Sequence, residues 1–165
     1  MQIKLRILAK ISLILIAYII IYYIFNGINL HTFEGDSINY HIPIAKSYLN
    51  GTVANPLYIK GVPFLKYSPG SSEGILAIMM FLKLPWNIYN VLAAVSLFLI
   101  SLYVGKTFKL GKNLSLIFAT SIIGLHGIVR WLNTQVIDIW LSVFFLLSIY
   151  LLENPNKKKR NIFCF

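Results

Sequence analysis

The sequence has few charged residues and very few acidic ones. Charged residues make up 12% of the 165 residues and only five are Asp or Glu, whereas hydrophobic residues make up 58%. A soluble domain has about 25% charged residues. This deficit and several long apolar runs predict an integral membrane protein. The net charge of +10 does not indicate nucleic-acid binding, because no basic run is interleaved with aromatic residues.

Cysteine and nucleotide-binding motifs are also lacking. Cys164 is the only cysteine, so an intramolecular disulfide and a cysteine-rich metal site are both excluded. The chain has no P-loop, G-x-G-x-x-G or G-x-S-x-G sequence. His31, His41 and His126 lack the spacing of paired metal ligands, and we expect them to form hydrogen bonds. The sequence therefore indicates no cofactor and leaves the requirement for a divalent metal ion open.

The apolar runs predict an all-α integral membrane protein with four transmembrane helices. The first run has no small-residue cleavage site after it, so we expect an uncleaved signal anchor. The other three helices are expected at about 87–108, 114–132 and 136–152. The predicted organisation is a signal-anchor helix (1–28), a long loop with short interfacial helices (29–86), three transmembrane helices (87–152) and a basic tail (153–165).

The topology depends on the short apolar segment 71–84. It has about fourteen residues, fewer than the roughly 17 to 25 that span a bilayer. If this segment does not cross, ten of the fifteen Lys and Arg residues lie on the side of the N-terminus. Basic residues concentrate on the cytoplasmic side. We therefore predict a cell-membrane protein with cytoplasmic termini, whose first loop and the turn 130–138 can meet at the extracytoplasmic face.

Asp36 is the first candidate for chemistry. Asp36 or Ser37 can cap a short helix that runs towards Leu49 and that Pro43 interrupts or kinks. Asp36 and Tyr40 are four residues apart and would share a helix face. A partly desolvated carboxylate at a membrane surface can act as a general base. Spacing alone leaves capping and catalysis both open for Asp36.

Two further ionisable residues lie near the predicted outer membrane surface. Arg130 can bind a phosphate through its planar guanidinium, or it can pair with Asp138 or extend to the surface. Asp138 can cap the last helix through the helix dipole. Ionisable groups near a membrane core also tend to mark function. These alternatives stay open at this point.

The order of segments resembles that of a known family. One membrane helix precedes the loop G-D-S-I-N-Y-H-I-P-I-A-K-S-Y-L-N-G, then a K-Y-S-P-G segment, and later N-T-Q-V-I-D-I-W-L-S-V. This pattern is similar to the N-terminal part of the C-type membrane glycosyltransferases, nearest to the protein O-mannosyltransferases and the lipid A aminoarabinose transferases. The resemblance implies a polyprenyl-phosphate-linked sugar donor and transfer at the extracytoplasmic face.

The resemblance also implies roles for residues. Asp36 matches the catalytic Asp of the first loop, and Asp138 matches a second acidic position. Lys66 lies where relatives carry polar residues near a proline. The expected site therefore has Asp36 as the catalytic residue and five substrate-binding residues: Tyr40, His41, Lys66, Arg130 and Asp138.

The chain also departs from the family. Many relatives have Asp-Glu where this chain has Asp36-Ser37. Family enzymes continue for several hundred residues, so a second half encoded downstream is an expected partner, beside the lipid-linked donor and membrane lipids. Two alternatives remain: a non-catalytic membrane protein, such as a flippase subunit or assembly partner, and an inactive truncated remnant.

Overall fold

The structure, a computed structural model, describes residues 2–51 and 70–153. Every regular element in these ranges is helical, which confirms the predicted all-α class. A π-helical turn (Ser37–His41) leads into the second helix and a 3₁₀ turn (Trp86–Ile88) into the fourth. The α-helices of the described ranges are α1 (Gln2–Asn29), α2 (Ile42–Leu49), α3 (Ser71–Phe81), α4 (Tyr89–Thr107), α5 (Lys112–Ile123), α6 (His126–Arg130) and α7 (Asp138–Glu153).

Two helical segments in the described ranges are long and apolar enough to cross a membrane. They are Ile3–Asn29 and Trp86–Thr107, and they match the first and second predicted spans. At 1.5 Å per residue, α4 extends about 28 Å, close to the hydrocarbon thickness of a bilayer. Only 11% of the apolar window in the first segment is buried inside the structure. Most of its apolar surface therefore faces away from the rest of the described chain.

The third predicted span, 114–132, is interrupted. Helix α5 ends at Ile123, and the N–H of Gly124 closes it by donating to the carbonyl of Thr120. Leu125 is extended, and α6 starts at His126. Glycine is a poor helix former, although the apolar run itself continues through it. The fourth predicted span, 136–152, corresponds to the 16-residue α7. Among the described residues, helix length and composition therefore support two of the four predicted membrane-spanning helices.

Helix α4 lies at the centre of the bundle. It packs against α5 on one side and α7 on the other, while α1 packs against α5. The core joins Ala93, Ala94 and Leu97 of α4 to Ile123 and Ile139 of its neighbours. Such small alanines let helices approach closely, as they do in membrane proteins. The π turn and α2 form a separate layer with α3.

The two ends of the bundle differ in charge. At one end, Arg6 of α1 and Lys112 of α5 line the same surface cleft. At the other end, the side-chain amide of Asn133 donates to the Tyr23 carbonyl of α1 at 2.8 Å and to the Asn87 carbonyl at 3.0 Å. Asp36 and Asp138 belong to this second end, through contacts given below. The fold therefore places Arg6 and Lys112 at the end of the bundle opposite to Asp36 and Asp138.

Candidate functional site

Glu34 caps the helical segment that carries Asp36. Its Oε1 accepts the N–H of Asp36 at 2.9 Å, and its Oε2 accepts both the N–H and the hydroxyl of Ser37 at 2.7 Å. Partial burial raises the pKa of Glu34, but these hydrogen bonds outweigh it and hold the pKa below its ordinary value. Asp36 stands at the N-cap position of the π turn, but its side chain makes no capping hydrogen bond. The Ser37 hydroxyl bonds to Glu34 and Gln135 instead, so neither predicted side chain supplies the cap.

The π turn places Tyr40 above Asp36. The N–H of Ile42 donates to the Ser37 carbonyl five residues back, which widens the helix just before Pro43. Proline has no N–H and its ring crowds the preceding turn, so a wider turn relieves both problems. The predicted interruption at Pro43 therefore takes the form of a π bulge. Such bulges are frequent at functional sites.

Asp36 and Tyr40 lie close to each other, and Asp138 is within electrostatic range of Tyr40. Burial raises the pKa of Tyr40, and the nearby Asp36 carboxylate and the charges of Glu34 and Asp138 raise it further. Tyr40 therefore stays protonated at physiological pH. The side chains of Asp36 and Asp138 are both exposed.

The first loop and the turn before α7 are joined by buried hydrogen bonds. The backbone N–H of Gln135 donates to the Ser37 hydroxyl at 2.9 Å. The side-chain amide of Gln135 donates to Asn87 Oδ1 at 2.9 Å and to the Trp86 carbonyl at 3.2 Å. The structure thus brings together the two polar segments that were expected to meet. Sequence reasoning did not single out Asn87 or Gln135, and the only signal was the run Asn133-Thr134-Gln135 between apolar residues.

His41 lies in the interior and not on the accessible surface of the site. Its side chain is 4% exposed, and its Nδ1 lies 2.9 Å from Oε1 of Glu73, which is 2% exposed. A buried imidazole cannot contact a substrate in this conformation, so its position does not support the predicted role in substrate binding. Glu73 was not predicted, although it is an isolated acidic residue in an apolar segment.

Of the two cationic residues predicted to bind substrate, Arg130 and Lys66, the structure describes Arg130. Arg130 is exposed at the end of α6, and its guanidinium stacks 4.7 Å from the ring centre of Trp131. Among residues 2–51 and 70–153, the one side-chain ion pair is that of His41 and Glu73, so the alternative pairing of Arg130 with Asp138 is not observed. Lys66 lies outside the described residues.

An open cleft borders Asp138. It has a volume of about 370 Å³ and lies between α6 and α7. Its walls are mainly apolar, with Leu125, Ile128, Trp131 and Ile139 among them. The carboxylate of Asp138 thus borders an apolar cleft. This arrangement fits a ligand with a hydroxyl or cationic group beside an apolar segment.

The part of the chain that the structure describes has no group of three or more His, Cys, Asp or Glu side chains arranged to hold a metal ion. Asp36 and Asp138 are the two accessible carboxylates near Tyr40. No protein-family model, curated protein or solved structure matches the chain. The function is therefore argued from the site.

Proposed function

We propose that the chain is part of a membrane glycosyltransferase that uses a polyprenyl-phosphate-linked sugar, with Asp36 as the general base. One observation carries the proposal: the Asp36 carboxylate is exposed and makes no capping hydrogen bond, because Glu34 caps the helical segment, and it lies near the Tyr40 hydroxyl. A carboxylate with only a structural role would be expected to accept the capping hydrogen bonds itself. The family resemblance of the first loop adds support.

The reaction follows from these groups. Asp36 takes the proton of an acceptor hydroxyl or amine as the acceptor atom attacks the anomeric carbon of the donor. The bond from that carbon to the phosphate oxygen breaks, its electron pair leaves with the lipid phosphate, and the anomeric configuration inverts. Tyr40, which stays protonated and lies near Asp36, can orient the Asp36 carboxylate. The exposed Arg130 is a candidate to stabilise the leaving phosphate, with Lys66 as a second.

The proposal includes a membrane topology. Helices α1 and α4, the interrupted segment α5–α6 and α7 make the four crossings, with both termini cytoplasmic. The separation of charge supports this orientation, because Arg6 and Lys112 lie together at the end opposite to Asp36. Basic ends of membrane proteins face the cytoplasm. The end with Asp36 and Asp138 then works at the extracytoplasmic surface, where the lipid-linked donor is presented.

A second function has support from two observations. Most of the apolar window of α1 is not buried by the described chain, and the cleft beside Asp138 is open. Both surfaces suit contact with further membrane helices. The chain could therefore be a non-catalytic partner of a larger assembly, and the same surfaces would equally accept the second half of a split transferase.

Transfer in membranes tests the proposal. The chain is expressed alone or together with the polypeptide encoded next to it, and supplied with a radiolabelled pool of polyprenyl-phosphate sugars. We expect label to move from the lipid to an acceptor in at least one arrangement and to stay on the lipid when Asp36 is replaced by Asn. Transfer that persists with Asp36→Asn would contradict the assigned base. Absence of transfer from every donor and arrangement would favour the non-catalytic partner.

A further inference from the structure

The His41–Glu73 pair is the most buried ionisable pair in the described chain, and the proposed reaction does not use it. Nδ1 of His41 and Oε1 of Glu73 are 2.9 Å apart, and the two side chains are 4% and 2% exposed. Ser72 adds a longer hydrogen bond to the second carboxylate oxygen at 3.5 Å. Neither residue reaches the surface that carries Asp36, so neither contacts a substrate there.

The pair joins two elements that the chain separates. His41 is the last residue of the π turn and directly follows Tyr40, whereas Glu73 lies in the first turn of α3. The first turn of α3 is itself fixed to α4, because the Tyr89 hydroxyl donates to the Ser72 carbonyl at 2.8 Å. The contacts therefore run from α4 through Glu73 to His41 and the π turn.

Breaking such a pair has a large effect. An ionisable group left buried without its partner is strongly destabilising, more than the pair itself is stabilising. The π turn is therefore held in one position on α3 as long as both partners are present. Because Asp36 directly precedes the π turn and Tyr40 and His41 both belong to it, displacement of the turn would move the proposed base.

We infer that His41 and Glu73 are positioning residues, which hold the π turn on α3 so that Tyr40 and Asp36 face the acceptor. This inference rests on the proposed transferase function for its catalytic consequence. Whether the pair holds the turn can be measured by hydrogen exchange, without any sugar transfer. The two parts can therefore fail separately.

Hydrogen exchange of the full chain in lipid nanodiscs tests the holding of the turn. In His41→Leu, which leaves Glu73 unpaired, we expect amides in 37–49 to exchange about a hundredfold faster. In His41→Asn the amide nitrogen can take the place of Nδ1, and we expect protection to return close to that of the wild type. His31→Leu, at an exposed histidine of the same loop, is the matched control and should leave exchange in 37–49 unchanged.

Glu73→Leu is a second variant in case His41→Leu does not fold. It removes both carboxylate oxygens and leaves the buried imidazole of His41 without its partner, and we expect faster exchange in 37–49 without a general loss of protection in α4. Unchanged exchange of 37–49 in both His41→Leu and Glu73→Leu would overturn the inference. So would an equal loss of protection in His41→Leu and His41→Asn.

Transfer kinetics test the catalytic consequence. We expect His41→Leu to lower kcat at least tenfold while KM for the lipid-linked donor stays within a factor of two, and His41→Asn to restore kcat. Loss of donor binding together with kcat would instead indicate general unfolding and would contradict a positioning role. If no sample transfers sugar but exchange in 37–49 responds as expected, the transferase function fails while the holding of the turn stands.

Discussion

The backbone N–H of Gln135 donates to the hydroxyl of Ser37 at 2.9 Å, although the two residues are 98 positions apart. The same hydroxyl donates to Glu34 Oε2 at 2.7 Å, so Ser37 links the capping carboxylate of the first loop to the turn before α7. Both Ser37 and Gln135 are fully buried. The exposed Asp36, directly before Ser37, is thereby fixed relative to Asp138.

Replacing Ser37 with Ala should loosen this link. The Gln135 N–H would lose its partner in a buried setting, which typically costs about 1–3 kcal/mol. We expect a lower free energy of unfolding in detergent and a slower transfer reaction. Ser148→Ala is the control, because that exposed serine bonds only to its own helix. Equal stability of the two variants would show that the link contributes little.

Substitution of Gly27 should separate α1 from Asn133 and Asn87. A Cβ at Gly27 would lie 2.5 Å from Nδ2 of Asn133 and 3.1 Å from the Asn87 carbonyl oxygen. Such overpacking costs about 1–3 kcal/mol, so we expect Gly27→Ala to lower the thermal unfolding temperature. Gly74→Ala is the matched control, because a Cβ there meets nothing within 4 Å. An unfolding temperature that is the same for Gly27→Ala and the wild type would contradict the close approach.

The capping role of Glu34 predicts a dependence of stability on pH. Its pKa in the folded state is below the ordinary value of 4.5, so its contribution is fully present above that value and is lost as the pH falls through the folded pKa. Glu34→Gln should be less stable than the wild type at pH 7 by about 1 kcal/mol. This difference should shrink as the pH is lowered to about 3, as followed by unfolding in detergent. A difference that stays constant from pH 7 to 3 would argue against an ionised cap.

The charge separation of the bundle predicts which side of the membrane each end faces. A reporter fused after Lys112, at the basic end, should be cytoplasmic, and one inserted after Gly51, in the first loop, should be extracytoplasmic. Paired reporters that are active on only one side of the membrane measure this directly. A cytoplasmic first loop would remove Asp36 from the surface where the proposed reaction takes place.

Parts of the fold follow from local sequence patterns. The apolar runs predicted α1, α4 and α7 because helix length and composition are properties of one segment. The short segment 71–84 was likewise expected as a non-spanning helix, and α3 covers Ser71–Phe81. The break at Gly124 was missed because the apolar run passes through it without polar residues. A single glycine in such a run gives only a weak signal.

The site was less predictable because its contacts join residues that are far apart in the sequence. The spacing of Asp36 and Tyr40 indicated that the two side chains lie near each other, which agrees with the effect of the Asp36 carboxylate on the Tyr40 pKa. Capping was assigned to Asp36 or Ser37 since short polar side chains are the usual caps, whereas the longer Glu34 reaches the same N–H groups from two residues earlier. The pairing of His41 with Glu73 joins residues 32 positions apart, and no local pattern carries that information.

The most direct test of the central claim is the rate of sugar transfer by Asp36→Asn relative to the wild type, at equal amounts of folded protein. Asn has the size of Asp, and the Asp36 side chain makes no capping hydrogen bond, so the fold should be kept. Because general-base catalysis contributes about 10²–10⁴ in rate, we expect transfer to fall by that factor, while Glu153→Gln, at an exposed acidic residue on the last turn of α7, transfers normally. Transfer by Asp36→Asn at the rate of the wild type would contradict the assignment.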